Sequence, residues 1–409
     1  MNAQKTFQVK SLSLKGDGLA DSPEGPIYQP FCLPGEEIII SENGSIDVKQ
    51  ASSDRQKPIC QYFTQCGGCR MQHANDGLIA NWKLEIAKHH FARAGLHPEL
   101  HFQTAHQSGR RRVSLHVRQI EGRICAGFMQ AKSHSLLDIA QCPLLTPALN
   151  ANAFHFAKQL GETLLPSFKP FDAHITDTQS GLDVDLRGLG KLNEKLRLRL
   201  SQAAMQLGLA RLSIHGDMIS QSRSPSLTIG KAQVILPPGG FLQATQDAEI
   251  LMTQQAKQAL VGSRKIIDLF CGIGPFALRL ADEASIIAAD MDPAAIASLD
   301  HAIRNTPGLK PIKAEKRDLF RMPYLARELQ GLDAAIIDPP RAGAEAQMRE
   351  LAKSSLKRIF AVGCDAQSFS RDAAILTKAG WNMGPVTVLD QFRYAPHIEL
   401  MALFTRKAK

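Results

Sequence analysis

From about residue 245 to its end, the chain alternates between helical segments and short apolar strands. The segment DAEILMTQQAKQALVG has helical spacing, KIIDLF is an apolar strand, and CGIGPFALRL turns into a second helix. Three further strands, SIIAADMD, DAAIIDPP and RIFAVGC, follow with helical stretches between them. Strands that alternate with helices form a parallel sheet with helices on both faces. We therefore predict a doubly wound, Rossmann-like α/β domain over residues 241–409.

The part of the chain before this domain has a more mixed pattern. Short strands and glycine turns fill residues 1–52, which predicts a small β-barrel of the OB type; a plain β-hairpin cap fits the same pattern equally well. Residues 53–240 combine helical stretches at 148–163 and 191–208 with strands such as VSLHV and ICAGFM. We predict a central mixed α+β domain there, within a chain that is α/β overall.

Charge and composition indicate a polyanionic partner and a reducing compartment. The 409 residues carry 48 Lys and Arg against 39 acidic residues, which gives a net charge of +9. The opening MNAQKTFQVK is polar, and no apolar run approaches the ~20 residues that a membrane helix needs. We expect a cytoplasmic monomer without membrane association, in which clustered cysteines bind metal or take part in catalysis rather than form disulfides.

Four of the cysteines have a spacing typical of a metal site. Cys60, Cys66 and Cys69 lie within PICQYFTQCGGCRMQH, and Cys142 follows in AQCPLL. Thiolates at such spacings hold either zinc or an iron–sulfur cluster, and the spacing leaves both open.

The strand KIIDLF leads into a Gly-x-Gly turn at Gly272, where the backbone can approach a ligand closely. The turn has neither the G-x-G-x-x-G pattern of dinucleotide sites nor the Lys-Ser/Thr of a P-loop. Asp290 ends the next strand, within reach of ribose hydroxyls, and Asp318 ends a third unit, within reach of an adenine amino group. This set favours an adenosine cofactor without pyrophosphate, such as S-adenosylmethionine; ordinary βα turns with helix N-caps are the alternative.

Two later strand ends carry candidate catalytic groups. Asp338 precedes two prolines in IIDPPRAG, and Cys364 ends the following strand at the same carboxyl edge. A thiolate there can add to an electrophilic carbon, and Glu399 in APHIELMALF is the best candidate for a base. Arg341 stands where amino-group methyltransferases carry an aromatic residue, which argues against methylation of an amino group. A small buried cysteine and a strand-edge charge are the structural alternatives.

Taken together, these motifs resemble those of the RNA 5-methyluridine methyltransferases, in particular the branch with an N-terminal TRAM domain and an iron–sulfur cluster that modifies 23S ribosomal RNA. The resemblance covers nearly the whole chain. It rests on SLSLKGDGLA and LPGEEIII near the start, on CQYFTQCGGCRMQH with Cys142, and on GGFLQATQ, IDLFCGIGPF, DPPRAG, CDAQSFSRD and HIELMALF in the last domain.

The resemblance implies a role for each candidate residue. Cys364 corresponds to the nucleophile that adds to uracil C6, and Glu399 corresponds to the base that removes the C5 proton. Contacts with S-adenosylmethionine are implied for Gln243, Phe270, Gly272, Asp290, Asp318 and Asp338. Gln243 and Asp338 are also implied as contacts of the target uracil. A [4Fe-4S] cluster is implied for Cys60, Cys66, Cys69 and Cys142.

The implied activity is S-adenosylmethionine-dependent methylation of a uridine at C5, with 23S rRNA or a ribosome assembly intermediate as the substrate. Two alternatives stay open: a tRNA 5-methyluridine methyltransferase with the same chemistry, and a non-catalytic RNA-binding protein on a methyltransferase fold. The chain departs from the family pattern at one point, because Asp365 and Ala366 follow Cys364 where the family has Asn-Pro. We expect a looser loop and a raised pKa of Cys364, with Arg371 near enough to offset the charge.

Basic residues flank the strand VSLHV: Arg110, Arg111, Arg112, Arg118 and Arg123. Because side chains alternate along a strand, Arg112 and Arg118 share the face opposite the apolar side chains. We predict that this face contacts RNA phosphates; a solvated strand face is the alternative.

Overall fold

The computed structural model describes residues 5–41, 44–131, 133–166 and 168–406. Within these ranges the strands form four sheets, of five, seven, two and eight strands. No helix in the same ranges is long and apolar enough to cross a membrane. The predicted α/β class is confirmed, because an eight-stranded sheet with helices on both faces follows two smaller N-terminal parts.

The first part is a five-stranded antiparallel sheet. Its strands are β1 (Lys5–Leu12), β2 (Gly18–Ser22), β3 (Gly25–Gln29), β4 (Glu37–Ile40) and β5 (Ile46–Gln50). They pair in the order β3-β2-β1-β4-β5 over a small core that contains Val9, Cys32 and Ile38. Residues 1–4, 42 and 43 of the predicted barrel lie outside the described residues. The assignment of residues 1–52 as a TRAM-like barrel stays a prediction.

The segment that contains Cys60, Cys66 and Cys69, which we call the cysteine segment, is followed by a long helix, α1 (Asp76–Arg93), and a strand, β6 (Leu100–Thr104). Asn75 caps α1, because its side chain accepts a hydrogen bond from the backbone in the first turn at 2.8 Å. The apolar face of α1, which includes Ile86 and Phe91, packs into the core of the C-terminal domain. The α1–β6 unit therefore belongs structurally with residues that lie far away in the sequence.

The central sheet has seven strands, against which two helices pack. Its elements are β7 (Arg112–Ile120), β8 (Arg123–Met129), β9 (Leu136–Asp138), α2 (Pro147–Thr163), β10 (Phe171–Thr178), β11 (Gly181–Arg187), α3 (Glu194–Gln206), β12 (Arg211–Ile214) and β13 (Asp217–Gln221). The strand order is β13-β12-β11-β10-β7-β8-β9. The helices predicted at 148–163 and 191–208 are thus present with nearly the expected ends.

The C-terminal domain alternates strands and helices as the sequence predicted. Its elements are β14 (Ser226–Ile229), β15 (Ala232–Ile235), α4 (Gln246–Ala259), β16 (Lys265–Leu269), α5 (Pro275–Leu280), β17 (Ser285–Asp290), α6 (Pro293–Arg304), β18 (Ile312–Lys316), β19 (Ala334–Ile337), α7 (Glu345–Lys353), β20 (Arg358–Gly363), α8 (Ala366–Lys378), β21 (Asn382–Asp390) and β22 (Glu399–Thr405). The large sheet has the order β18-β17-β16-β19-β20-β22-β21-β6, and β14 and β15 form a separate hairpin.

The direction of the strands brings the candidate residues to one edge of the large sheet. Strands β18, β17, β16, β19 and β20 run parallel, whereas β22 runs antiparallel between β20 and β21. The amino end of β22 therefore meets the carboxyl ends of β20 and β21. Strand β6 extends the sheet by pairing in parallel with β21. Because β6 lies within residues 53–240, the large sheet includes a strand from before the predicted C-terminal domain; the domain boundaries stay a prediction.

Candidate active site

A cleft of about 510 Å³ separates the carboxyl edge of the large sheet from the central sheet. Cys364, Glu399 and Gln243 line it from the sheet edge, and Arg112 lines it together with residues of β10 and β11. In open α/β sheets, ligands bind outside the carboxyl ends of the strands, so the position of this cleft agrees with the fold.

Cys364 directly follows β20 and is half-buried in the cleft. Burial, and then the negative charges of Glu399 and Asp338, raise the pKa of the Cys364 thiol to about 12, while the nearby Arg341 acts in the opposite direction. The thiol is therefore protonated at neutral pH in the protein without ligands. Positive charge placed beside it would favour the nucleophilic thiolate.

Asp365 and Ala366, the departure from the family pattern, start helix α8. Asp365 is the N-cap, since its Oδ1 accepts a hydrogen bond from Ser368 N at 2.9 Å. Asp and Asn are about equally good N-caps, so the loop after Cys364 stays anchored to the helix. The loosening expected from Ala366 in place of proline stays a prediction.

The pKa of Cys364 is raised, as expected, but Asp365 is not the cause. The carboxyl groups that raise the pKa of Cys364 are Glu399 and Asp338 rather than Asp365. The opposing cation is Arg341, whereas Arg371 is bound to Asp372 at 2.7 Å on the outer side of α8.

Two glutamines join the candidate carboxyl groups by hydrogen bonds. Gln391 Nε2 donates to Glu399 Oε1 at 2.8 Å and to Gln243 Oε1 at 3.2 Å. Gln243 Nε2 in turn donates to Asp338 Oδ2 at 3.2 Å. Ala244 N donates to Gln391 Oε1 at 3.0 Å, which fixes the orientation of this amide. The network holds both carboxyl groups at defined positions beside Cys364.

Burial brings the pKa of both carboxyl groups close to neutrality. The pKa of Glu399 is raised to about 8, mainly by burial and then by the charge of Asp338. Burial raises the pKa of Asp338 to about 7, against the hydrogen bond from Gln243. A group with a pKa near the working pH is well suited to accept a proton during a reaction and release it afterwards.

Gln391 is a member of this network that the sequence analysis missed. It lies directly after β21, within VLDQFRYAP, and is 2% exposed. A polar residue at the end of a strand VTVLD is the signal that would have drawn attention to it. That signal has meaning only once the strand is known to end at the same edge as Cys364.

The candidates for adenosine recognition lie at neighbouring strand ends. Phe270 and Gly272 follow β16 in the left-handed region, with φ of 62° and 53°, so that the chain turns sharply over the strand end. Gly272 N donates to Asp290 Oδ2 at 2.9 Å. Asp318 Oδ1 accepts from Phe320 N at 3.0 Å, and the rings of Phe270 and Phe320 lie 5.3 Å apart. The arrangement combines carboxyl groups with an aromatic surface, as binding of a nucleoside requires.

Asp268, which was not among the predicted site residues, lies between the candidate catalytic residues and the candidates for adenosine recognition. It is 1% exposed on β16, and its Oδ2 accepts from Ala277 N at 3.0 Å. Burial raises its pKa well above the ordinary value, and the charges of Asp338 and Asp290 raise it further. Its Oδ1 has no hydrogen-bond partner among the described atoms. The two sets of candidates therefore form one continuous polar edge.

The four clustered cysteines lie close enough to influence one another. Burial raises the pKa of Cys69 to about 12 and that of Cys142 to about 11, and the charges of the other cysteines raise both further. Gly68 N lies 3.4 Å from Cys66 Sγ, in a hydrogen bond to sulfur. Within the described ranges, however, no group of three or more His, Cys, Asp or Glu side chains is arranged to hold a metal ion as it stands. The donor set thus fits a thiolate-bound metal in its chemistry, and its ligand role stays a prediction.

The basic residues around β7 have different environments. Arg111, which is not on the face predicted to contact RNA, is buried and forms an ion pair with Glu249. Arg118 pairs with Asp172 at 3.2 Å. Arg112 lines the cleft and donates a hydrogen bond to Leu242 O at 2.8 Å. Its guanidinium lies 4.9 Å from the centre of the exposed Phe241 ring. Arg112 shares this position with Arg110, so these two members of the set line the cleft.

Comparison with known proteins agrees with the geometry. Residues 233–407 match the family described as tRNA (uracil-5-)-methyltransferase. An uncharacterized RNA methyltransferase of Brucella suis is 39% identical and covers 99% of each chain, and one of Agrobacterium fabrum is 38% identical, covering 98% of this chain and 99% of its own. The 23S rRNA (uracil(1939)-C(5))-methyltransferase RlmD of Pectobacterium carotovorum is 29% identical over 98% of this chain and 95% of its own.

Among solved structures, the tRNA (uracil-54, C5)-methyltransferase of Pyrococcus abyssi has the same fold. The TM-score is 0.72 at 20% identity, with 98% of this chain and 100% of that chain covered. The fold and the sequence relatives together define an RNA methyltransferase. The chain belongs to the same RNA methyltransferase family as its Brucella and Agrobacterium relatives.

Proposed function

We propose that the protein methylates C5 of a uridine in RNA, most specifically in 23S rRNA, with S-adenosylmethionine as the methyl donor. The observation that carries this proposal is the position of Cys364 beside Glu399 in one cleft, with Glu399 joined to Asp338 through Gln391 and Gln243.

The chemistry follows from the low nucleophilicity of uracil C5. Cys364 loses its thiol proton to solvent, and addition of the resulting thiolate to C6 makes C5 enolate-like and able to take a methyl group. Glu399 then removes the proton from C5, the C5–C6 double bond forms again, and the sulfur leaves C6. S-adenosylmethionine supplies the electrophilic methyl group when it is bound.

The electrostatics of the site support this sequence of steps. Glu399 and Asp338 raise the pKa of Cys364, so the three groups together favour a nearby cation. A sulfonium is such a cation. Asp338 lies within the same polar edge as Asp268 and Asp290, where the candidates for cofactor contact are found. We propose that Gln243, Phe270, Gly272, Asp290, Asp318 and Asp338 form the cofactor site.

The choice of 23S rRNA is supported by the relative RlmD, which aligns with nearly the whole chain, and by the cysteine segment. A tRNA substrate is the second candidate, since tRNA is named both in the description of the matching family and in that of the Pyrococcus structure. The target uracil must leave its stack to reach a half-buried thiol, at a cost of a few kcal/mol. A loop or a deformable helix is therefore the expected substrate.

The direct test is a covalent complex with RNA that contains 5-fluorouridine. Fluorine at C5 blocks the step that Glu399 performs, so the bond between Cys364 and C6 should persist. We expect a complex that survives denaturing electrophoresis with wild-type protein and S-adenosylmethionine. A stable complex linked to any cysteine other than Cys364, or no complex at all, would contradict the proposed mechanism.

We further propose that Cys60, Cys66, Cys69 and Cys142 hold a [4Fe-4S] cluster with a structural or RNA-binding role, with zinc as the alternative. The reaction needs no electron, so no redox step is assigned to the cluster. Protein purified without oxygen should contain about four iron and four sulfide per chain for a cluster, or about one zinc for a zinc site. Cys142→Ser should lose nearly all of this metal, whereas Cys125→Ser should retain it. Equal metal content in both variants would exclude the assignment.

The Arg112 prediction concerns RNA affinity. Arg112→Glu should weaken binding of substrate RNA about tenfold at moderate salt and reduce the slope of log affinity against log salt by about 1, because one phosphate contact is lost. Lys195→Glu, on the exposed face of α3, makes the same change in charge and should bind as wild type does. Unchanged RNA binding by Arg112→Glu would contradict the phosphate contact and favour the alternative of a solvated strand face.

A further inference from the structure

The segment that connects β21 to β22 is irregular but carries essential parts of the proposed site. Residues 390–398, which we call the base loop, contain Gln391 and lead directly into Glu399. They include no helix or strand beyond the last residue of β21. The position of Glu399 therefore depends on whatever fixes this loop.

A lysine from helix α1 provides the main tether. Lys83 is 0% exposed, and its Nζ donates to Asp390 Oδ1, to Phe392 O at 2.9 Å and to His397 O at 3.2 Å. All three ammonium hydrogens thus reach the base loop, on both sides of Gln391 and close to Glu399. A lysine is almost never fully buried unless it is paired in this way.

Two more contacts from the same region of the chain hold the middle of the loop. Arg70, which directly follows Cys69, donates its backbone N–H to Tyr394 O at 2.8 Å. Asp76, in the first turn of α1, accepts from Arg393 at 2.8 Å and 3.0 Å. The cysteine segment and α1 together therefore form hydrogen bonds with the base loop along its length.

We infer that Lys83 is a positioning residue for the proposed base: through Asp390, Phe392 and His397 it fixes the base loop so that Gln391 orients Glu399 toward the adduct at Cys364. This role rests on the proposed function. It also gives the N-terminal cysteine segment and α1 a place in catalysis, because they carry the groups that hold the loop.

The simplest alternative is that Lys83 only stabilises the fold by anchoring α1. The two roles differ in which step of the reaction they affect. Formation of the covalent complex with 5-fluorouridine RNA needs Cys364 but no proton removal from C5. Turnover on ordinary uridine RNA needs both. Loss of a residue that positions Glu399 should therefore slow turnover on uridine RNA far more than formation of the 5-fluorouridine complex.

The experiment compares Lys83→Met with Lys88→Met in the full-length protein, after circular dichroism and metal analysis have shown each to be folded. Lys88 is exposed on the same helix and pairs with the exposed Glu85, so it is a matched control. We expect Lys83→Met to form the 5-fluorouridine complex within about threefold of the wild-type rate, but to turn over uridine RNA about 10- to 100-fold more slowly, with covalent complex accumulating. Lys88→Met should match wild type in both rates.

Equal slowing of both rates in folded Lys83→Met, or no slowing of either, would overturn the positioning role. If Lys83→Met does not fold, Asp390→Asn provides the test, because it keeps the shape of the side chain and removes only the charge. The same split between the two rates is then expected at about three- to tenfold, and its absence would again overturn the role. If the wild type forms no complex with 5-fluorouridine RNA, the proposed function fails first and this role fails with it.

Discussion

Replacing Cys364 by alanine should abolish methyl transfer while leaving RNA binding intact. The reaction depends on addition of sulfur to C6, and no other described cysteine lines the cleft. Removal of a nucleophile of this kind costs on the order of 10⁴-fold or more in rate. Incorporation of labelled methyl groups into RNA measures the loss, and a filter-binding assay measures RNA affinity.

The matched control is Cys125→Ala, which removes a half-buried cysteine of the central sheet outside the cleft. It should retain the activity of the wild type. If the activity of Cys364→Ala were within about tenfold of wild type, the loss would correspond to only ~1.4 kcal/mol of activation free energy. Cys364 would then not be the nucleophile.

The second large effect is expected for Glu399→Gln. Glutamine keeps the size of the side chain and its contact with Gln391, but it cannot accept the C5 proton. Turnover should fall on the order of 10²- to 10⁴-fold, which is the usual contribution of a general base. The covalent complex should still form on uridine RNA and should accumulate. Loss of complex formation together with turnover would contradict the assignment of Glu399 as the base.

The pH dependence of this step has a definite sign. Glu399 accepts a proton only as a carboxylate, and its pKa is raised to about 8. Proton removal by the wild type should therefore speed up as the pH rises through about 8, and this limb of the profile should be absent in Glu399→Gln. Single-turnover measurements of complex breakdown isolate the step from the ionisation of Cys364.

The same variant has a consequence that needs no RNA. The charge of Glu399 helps raise the pKa of Cys364 to about 12, so Glu399→Gln should lower that pKa. Alkylation of Cys364 by iodoacetamide at about pH 9, where Glu399 of the wild type is ionised, should then be faster than in wild type. Glu345→Gln, at an exposed position in α7, should leave the rate unchanged. Slower alkylation in Glu399→Gln would show that the electrostatic account of the site is wrong.

The sequence predicted the parts of the site that depend on local pattern. Gly272, Asp290 and Cys364 follow apolar strands separated by helices, and this alternation alone places them at one edge of a parallel sheet. The position of Glu399 does not follow from it, because β22 runs in the opposite direction to β20 and brings its amino end to that edge. Its place in APHIELMALF made Glu399 a candidate base, and resemblance to the family supplied its role.

The contacts missed by the sequence analysis join segments that are far apart in the chain. No local pattern indicates that β6, near residue 100, pairs with β21, or that Lys83 reaches the base loop about 300 residues later. Arg111 looks like an exposed cation in the sequence, but a buried glutamate from α4 neutralises it. Tertiary pairing of this kind overrides what charge and periodicity predict for single residues.

The most direct test of the proposed function is transfer of labelled methyl groups from S-adenosylmethionine to 23S rRNA and to tRNA, both prepared without 5-methyluridine. Wild-type protein should label one uridine of 23S rRNA as 5-methyluridine, and Cys364→Ala should label neither RNA. Labelling of tRNA alone would keep the chemistry and overturn the substrate. No label in either RNA, from folded protein that binds S-adenosylmethionine, would contradict the account and leave an RNA-binding protein on a methyltransferase fold.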